Sequence, residues 1–222
     1  MTPPRWAVAL CAIALAVFGT VQAVYLQAGE DTYRDLARGR GQVVFVLPDV
    51  TLHTDEGGLL EMHRQTLAYV LDSAPEPAKC CDGRPVFDAS ERGHLADVRA
   101  VFRAVRIAWI AAALALIALL VRTRARGYLL RLVRDGAFWA GAAVLVLGLV
   151  AAVAFEPAFL AFHYLFFPQG NFLFDPATSN LLRLYPEPYW YGVTLRVGLT
   201  FIGAMALIVA TASVVLRSRG AR

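Results

Sequence analysis

His94 lies in a stretch whose charged and apolar residues are spaced to hold an imidazole on the inner face of a helix. The sequence there reads Glu91-Arg92-Gly93-His94-Leu95-Ala96-Asp97-Val98. In a helix that turns about 100° per residue, Glu91 and Asp97 flank His94, whereas the apolar Val98 lies near the direction in which His94 points. The spacing therefore predicts an inward-pointing imidazole with a carboxylate on each side that could accept a hydrogen bond from it.

His163 stands in a segment that contains little else able to form a hydrogen bond. Between Pro157 and Pro168, only His163 and Tyr164 have polar groups in their side chains. Burial among aromatic rings disfavours the charged imidazole and lowers its pKa, so His163 is expected to be neutral and able to accept a proton. Either histidine alone could be a structural core residue, but two inward-pointing imidazoles favour general acid–base chemistry.

Other familiar catalytic patterns are missing from the sequence. It contains no Gly-x-Ser-x-Gly elbow, His-Glu-x-x-His pair, P-loop or Gly-x-Gly-x-x-Gly motif. Serine-nucleophile and zinc chemistry therefore have no support from motifs. His53 and His63 are expected to be surface histidines, and neither a metal nor a cofactor is predicted.

The composition requires a membrane around the elements that carry these residues. Apolar residues make up 58% of the 222 residues and charged residues 17%, against about 45–50% and about 25% in soluble domains. Such an excess of apolar surface has to be buried in protein or lipid, which excludes a disordered chain and a nucleic-acid-binding arm. No nucleic-acid partner is expected.

Four apolar stretches are long enough to cross a hydrocarbon core, which needs about 20 helical residues. They predict transmembrane helices at residues 1–26, 104–122, 137–156 and 193–216. The other parts are a cap with the protruding start of the second helix (27–103), a basic loop (123–136), an aromatic re-entry loop (157–192) and a tail (217–222). The first apolar run exceeds the core of a signal peptide, which is about 7–15 residues, so we expect it to be retained as an anchor.

The distribution of arginine sets the predicted orientation. Between Arg122 and Gly136, five arginines stand against a single acid, Asp135. By the positive-inside rule this loop is cytoplasmic. Arginines near both termini then fall on the same side, as an even number of crossings requires. The cap and the re-entry loop are therefore expected to face outward.

The cap is predicted to be a small α+β structure. Residues 42–47 and 50–53 fit two short strands, and Gly57-Gly58 marks a break before helical spacing over residues 59–71. The predicted fold is therefore a membrane protein that is mainly α, with four transmembrane helices and a small outward-facing α+β cap.

The second transmembrane helix is predicted to begin well outside the membrane. Asp88 and Glu91 resemble a capping box, and only Gly93 could interrupt a helix from residue 89 to residue 122. A helix of that length measures about 51 Å, well beyond a hydrocarbon core of about 30 Å. Arg99, Arg103 and Arg106 lie on the face opposite His94, where they suit phosphate headgroups.

Three further positions have open interpretations. Arg196 lies about one turn inside the fourth span, where a charge usually faces a partner or a polar cavity. It is expected either to pair with Glu156, Asp175 or Glu187 or to contact a substrate carbonyl or headgroup. The adjacent Cys80 and Cys81 are expected to be free or intermolecularly paired thiols, because neighbouring cysteines can pair only through a strained ring.

Two blocks of the sequence resemble one family. The first runs from Glu91 to Arg99, and the second combines Phe162-His163-Tyr164-Leu165-Phe166-Phe167 with Phe174-Asp175-Pro176 and the segment 181–187. Together with the four spans, they make the chain similar over nearly its whole length to the bacterial lipoprotein intramolecular transacylases. The resemblance implies an enzyme of the bacterial cytoplasmic membrane, and the distribution of arginine predicts that its active face is extracytoplasmic. That family uses two histidines, and the matching positions here are His94 and His163.

The resemblance also implies a reaction. The acyl chain at glycerol position 2 of a diacylglyceryl lipoprotein moves to the α-amino group of its lipidated N-terminal cysteine, which gives a lyso-form lipoprotein. The implied partners are the diacylated lipoprotein and membrane lipid.

Such a transfer needs a base for the amine, an acid for the departing glycerol oxygen and donors for the oxyanion. We expect His163 to be the base and His94 the acid, although these roles could be exchanged. The supporting or substrate-binding residues are expected to be Glu91, Asp97, Tyr164, Asn180 and Arg196, the last three as candidate oxyanion donors.

Two other functions stay open at this point. In the first, the chain is a non-catalytic membrane protein whose outer cap binds a lipid, a peptide or a partner subunit. In the second it is a lipid hydrolase, which would release free fatty acid.

Overall fold

The computed structural model describes residues 2–80, 83–122 and 126–220. Within this part the chain forms eight helices and two strands. In chain order they are α1 (Arg5–Gln27), α2 (Glu30–Ala37), β1 (Val43–Val46), β2 (Thr51–Thr54), α3 (Glu56–Val70), α4 (Ala89–Arg122), α5 (Arg126–Val153), α6 (Phe155–Phe166), α7 (Asn180–Leu184) and α8 (Glu187–Gly220). Cys81 lies outside the described residues, so the interpretation of Cys80 and Cys81 as free or intermolecular thiols stays a prediction.

The chain divides into two compact units. The helical unit consists of Met1–Leu26, Val105–Val153 and Thr194–Arg222. The α+β unit consists of Gln27–Ala104 and Ala154–Val193, and it contains both His94 and His163. Helices α4 and α8 each contribute residues to both units.

Four helices, α1, α4, α5 and α8, are long and apolar enough to cross a membrane. The predicted mainly α membrane fold with four crossings is confirmed. The helix that contains the third predicted span, α5, begins at Arg126 and takes in most of the expected basic loop, so the bounds of the span itself stay a prediction. Arginine and leucine are good helix formers, so the charged segment before the apolar run continues the helix.

Helices α1 and α5 approach each other closely at Gly136. A Cβ atom built on Gly136 would lie 2.8 Å from Sγ of Cys11 and 3.3 Å from the backbone nitrogen of Ala12. Cys11 is fully buried at this contact. Since one of the two neighbours is backbone, a side chain at this position would have to push the helices apart.

We expect Gly136→Ala to lower the thermal stability of the purified protein in detergent, by an overpacking cost of about 1–3 kcal/mol. The matched control is Gly148→Ala in the same helix, since apart from its chain neighbours and the adjacent backbone of α5 no described atom lies within 4 Å of a Cβ built there. That control should be neutral or slightly stabilising, because alanine favours a helix by about 0.5–1 kcal/mol over glycine. Equal melting temperatures for the two variants would show that the helices do not touch at Gly136.

The α+β unit contains the predicted pair of strands. β1 and β2 pair antiparallel, with Val43 opposite Thr54 and Val46 opposite Thr51. The expected break in regular structure at Gly57 and Gly58 is not observed. They lie in the first turn of α3, because Asp55 caps that helix by accepting a hydrogen bond from the Gly58 N–H at 3.0 Å.

His63 belongs to the core of this unit, so its predicted surface position is wrong. Its side chain is 2% exposed, and Tyr33 stacks on the imidazole at 4.2 Å between ring centroids. Nε2 lies 3.2 Å from the Ala28 carbonyl oxygen, which can only accept, so Nδ1 accepts from the Tyr185 hydroxyl at 3.0 Å. Both nitrogens are satisfied within the fold. His53 is exposed, as predicted.

The long helix that contains the second crossing begins where the capping box predicts. The Glu91 N–H donates to Oδ1 of Asp88 at 2.8 Å, and the Asp88 N–H donates to Oε2 of Glu91 at 3.0 Å. These two bonds satisfy backbone donors at the start of α4. The helix then continues without interruption over the predicted residues, Ala89–Arg122.

Candidate active site

His163 is positioned by a helix in a segment that was expected to be a loop. Helix α6 begins at Phe155 and accommodates Pro157 because no backbone partner is needed in the first turn. It ends after Phe166, where the Phe167 N–H donates to the His163 carbonyl at 2.7 Å. His163 therefore lies in the last turn of α6.

The two histidines lie side by side in the α+β unit. The centroids of the His94 and His163 rings are 6.1 Å apart, and the ring planes are inclined by 23°. Phe167 contacts both, with its ring centroid 4.7 Å from that of His94 and 5.6 Å from that of His163. His94 is 6% exposed, whereas His163 is half-buried. The fold thus brings together two residues that are far apart in the sequence.

Aromatic rings complete the surroundings of the pair. Phe174 lies 5.6 Å from His94, and Phe172 and Phe159 lie 5.1 Å and 4.1 Å from His163, all between ring centroids. This setting removes water from the imidazoles and disfavours their charged forms.

One hydrogen bond defines the basic nitrogen of His163. Nδ1 lies 2.8 Å from the carbonyl oxygen of Phe159, one turn earlier in α6. A carbonyl can only accept, so the hydrogen sits on Nδ1 and the lone pair is on Nε2. Burial lowers the pKa of His163, and the bond to Phe159 opposes this by favouring the protonated form. A neutral ring with a free Nε2 can act as a base.

His94 has an unsatisfied nitrogen. Nδ1 is buried and forms no hydrogen bond with any residue that the structure describes. Burial lowers the pKa of His94 and the neighbouring His163 lowers it further, whereas the side chains of Asn171 and Asp97 raise it. A buried polar atom without a partner at a site of this kind needs an explanation, such as a ligand or a bond that tightens when substrate binds.

Glu91 supports the site without bonding to His94. It is 1% exposed and accepts from the Ser179 hydroxyl at 2.6 Å and from the Leu181 N–H at 2.7 Å. Its carboxylate therefore connects the start of α4 to the start of α7. Ser179 caps α7, since its hydroxyl also accepts from the Leu182 N–H at 3.1 Å.

Asp97 connects α4 to the segment that follows α6. Its Oδ2 accepts from the side-chain amide of Gln169 at 2.8 Å and from that of Asn171. Gly170, between the two amides, has a φ of +76°, a left-handed conformation that glycine adopts readily. Neither Asp97 nor Glu91 accepts from the His94 ring within the described chain, so the direct carboxylate contact expected for His94 is not formed.

Asn180 has all its hydrogen-bonding positions occupied. Its Nδ2 donates to the carbonyl oxygens of Val46 at 2.8 Å and Val86 at 2.7 Å. Its Oδ1 accepts from the Val46 N–H and from the Arg183 guanidinium, both at 3.0 Å. Since a primary amide has two donors and two acceptor sites, nothing is left for an oxyanion.

The remaining predicted site residues take separate positions. Tyr164 is 56% exposed and contacts Phe172 edge-on at 5.0 Å between ring centroids. Arg196 lies in α8 within the helical unit, and both of its expected roles stay predictions.

Two arginines of the stripe predicted for headgroups bind a carboxylate of the protein. Asp72 accepts from Arg99 at 2.5 Å and from Arg103 at 2.6 Å. The Arg99 guanidinium also lies over the Tyr69 ring, 4.6 Å from its centroid. These arginines hold the end of α3 against α4, so a headgroup role for the stripe stays a prediction.

The sequence did not identify Asn171 as a site residue or Gln169 as a second partner of Asp97, because their segment was interpreted only as part of the re-entry loop. The available signal was the pair of amides around a glycine shortly after His163.

These observations define a class of protein: a multi-pass membrane protein with two adjacent imidazoles in an aromatic pocket, suited to acid–base chemistry. Comparison with known proteins narrows this class. The family model of the lipoprotein intramolecular transacylase Lit matches residues 44–190. The chain belongs to this family. It is a membrane-integral acyltransferase of the lipoprotein intramolecular transacylase type, and its substrates are lipoproteins.

Solved structures match over nearly the whole chain. The lipoprotein intramolecular transacylase Lit from Bacillus cereus is 18% identical, with a TM-score of 0.64, and the match covers 98% of this chain and 94% of that one. A variant of the same protein with a histidine replaced by arginine is 18% identical, with a TM-score of 0.60 and coverage of 97% and 92%. At these identities the matches show the fold. Among curated protein sequences there is no match.

Proposed function

We propose that this protein transfers the acyl chain at glycerol position 2 of a diacylglyceryl lipoprotein to the α-amino group of the lipidated N-terminal cysteine. The product is a lyso-form lipoprotein. The observation that carries the proposal is the pairing of the His94 and His163 imidazoles, 6.1 Å apart between centroids, in an aromatic pocket. Membership of the family supports the reaction class.

The proposed mechanism uses two neutral imidazoles and the substrate's own ammonium group. His94 takes one proton from the ammonium and becomes the acid. The freed amine attacks the ester carbonyl, and His163 takes a second proton through Nε2 as the N–C bond forms. The C–O bond then breaks, and His94 returns its proton to the departing glycerol oxygen. The amide keeps the third hydrogen, and His163 releases its proton to water.

The protein contributes mainly orientation to this step. Amine and ester belong to the same substrate, so the effective concentration of the nucleophile is already high. Glu91 and Asn180 are proposed as supporting residues, because both are buried and tie together the elements around the site. Tyr164 remains the candidate oxyanion donor in the α+β unit.

We further propose that the site faces the outside of a bacterial cytoplasmic membrane, with membrane lipid around the substrate. The support is the arginine-rich segment between the second and third crossings, which the positive-inside rule places in the cytoplasm. Both histidines belong to segments on the other side of those crossings.

The test is incubation of the purified protein with a synthetic diacylated lipopeptide, followed by tandem mass spectrometry. We expect one acyl chain to appear on the cysteine nitrogen with no change in total mass, because the transfer is intramolecular. Release of free fatty acid would identify a hydrolase instead. An unchanged lipopeptide that nevertheless binds would favour a non-catalytic binding protein.

A further inference from the structure

The segment between α6 and α7 wraps around both histidines and is fastened to α4 at one side chain. Phe167, Phe172 and Phe174 of this segment contact the imidazoles. Gln169 and Asn171 both donate to Asp97, which lies one turn after His94 on α4. Asp97 therefore holds the segment at a fixed position beside His94.

The bond to Asp97 determines which way the Asn171 amide points. A carboxylate can only accept, so the amide nitrogen of Asn171 must face Asp97. Its oxygen, Oδ1, then points away from Asp97. Oδ1 is buried and forms no hydrogen bond with the described residues. Asn171 thus presents an unused acceptor inside the pocket.

The His94 ring has an unsatisfied nitrogen that complements Oδ1 of Asn171. Nδ1 of His94 is also buried without a bond in the described chain, and the Asn171 side chain is close enough to favour the protonated His94 ring. Hydrogen bonds at catalytic sites are often long or poorly aligned without substrate and tighten when it binds. The two unsatisfied atoms complement each other as donor and acceptor.

We propose that Asn171 is a positioning residue for His94, with its Oδ1 accepting the hydrogen on Nδ1 of His94. This bond makes Nε2 the nitrogen of His94 that carries the transferred proton. It also stabilises the imidazolium form that the acid role requires. The inference rests on the proposed function for its kinetic consequences but not for the position of the hydrogen. Asp97 acts through Asn171 by fixing the amide.

The kinetic test compares Asn171→Leu with Gln169→Leu. The first removes the acceptor beside His94, whereas the second removes the Gln169 amide, whose hydrogen bond within the described chain goes to Asp97 and not to His94. We expect Asn171→Leu to lower kcat by about 10- to 100-fold, part of the contribution of an acid–base group, with KM nearly unchanged. A fall in kcat for Gln169→Leu as large as that for Asn171→Leu would contradict a specific role.

Titration of His94 separates positioning from a structural effect. In substrate-free protein labelled with ¹⁵N-histidine, the NMR signals of the ring report the pKa of His94 directly. Loss of the Asn171 acceptor removes a stabiliser of the imidazolium, so the pKa of His94 should be lower in Asn171→Leu than in the wild type. Gln169→Leu should leave that pKa unchanged. An unchanged pKa of His94 in Asn171→Leu overturns the inference.

A reversed pair provides the rescue. In the double variant Asp97→Asn with Asn171→Asp, the hydrogen-bond donor and acceptor at positions 171 and 97 exchange places. A carboxylate oxygen then faces His94. We expect kcat to recover relative to Asn171→Leu and the pKa of His94 to rise above that of the wild type, because a carboxylate favours the imidazolium more than an amide does. Failure to recover in a stably folded double variant would count against the proposal.

A measurement without substrate decides the inference independently of the reaction. In protein labelled with ¹⁵N-histidine, the signal lost in His94→Gln identifies His94. We expect its neutral ring to carry the hydrogen on Nδ1 in the wild type. A hydrogen on Nε2 overturns the inference even if the enzyme is active. If the wild type fails to transfer the acyl chain while Nδ1 is protonated, only the proposed function is refuted.

Discussion

The variants His94→Ala and His163→Ala are expected to lose conversion of diacyl to lyso lipopeptide by about 10³-fold, within the range of about 10²–10⁴ that general acid–base groups contribute. The physical reason is that each ring handles a different proton of the same transfer. The rate of N-acyl product formation, followed by mass spectrometry, measures the loss. Because the two rings act as a unit, the double variant should be little slower than either single variant.

The control for this experiment is His53→Ala. His53 is exposed on β2, so the same substitution there should leave the rate unchanged. All variants should remain in the membrane fraction, because the four apolar helices are untouched. Full conversion by either active-site variant would show that this histidine is not required for the transfer. Full conversion by both would refute the proposed mechanism.

The second large effect is expected for Glu91→Ala. This change leaves the Ser179 hydroxyl and the Leu181 N–H without their acceptor in a buried place, and it also removes the acceptor of the partly buried Asp88 N–H. Each orphaned buried donor costs about 1–3 kcal/mol, so the free energy of unfolding should fall by at least about 2 kcal/mol. In a protein of this size that corresponds to roughly 4 °C or more in the melting temperature, measured by tryptophan fluorescence in detergent.

Two further variants test whether the loss of stability is specific to the Glu91 carboxylate. Glu91→Gln keeps one acceptor oxygen and should fall between the wild type and Glu91→Ala. Glu61→Ala removes a carboxylate of the same type from the surface of α3, where it pairs with Arg64 in an exposed position. Exposed pairs of this kind contribute about 0–1 kcal/mol, so this control should melt within a degree or two of the wild type. Similar melting for Glu61→Ala and Glu91→Ala would contradict the role assigned to Glu91.

The parts of the fold that depend on residues close together in the sequence could be predicted. The helix Ala89–Arg122 follows from a capping box at Asp88 and Glu91 and from a run without helix-breaking residues, and Ser179 as the cap of α7 follows from the same local chemistry. The break that was expected before the helix at Gly57 is not observed, for a related reason. A strong cap at Asp55 outweighs the low helix propensity of two glycines in a first turn.

The contacts that organise the site could not be predicted in the same way. Asp97 binds amides 72 and 74 positions further along the chain. Glu91 binds donors 88 and 90 positions away. A single sequence shows which residues are able to bond but not which of them meet. The interpretation of Glu91 and Asp97 as direct partners of His94 used only the helix they share, and tertiary contacts outweighed it.

The backbone acceptor of His163 separates two properties of the ring, namely which nitrogen is basic and how readily the ring becomes protonated. The Phe159 carbonyl selects the basic nitrogen, and every amino acid at that position supplies the same oxygen. The Phe159 ring, by contrast, excludes water from the imidazole and so governs how readily the ring becomes charged. Substitutions at position 159 can therefore adjust the working pH of the enzyme while the direction of proton acceptance stays the same.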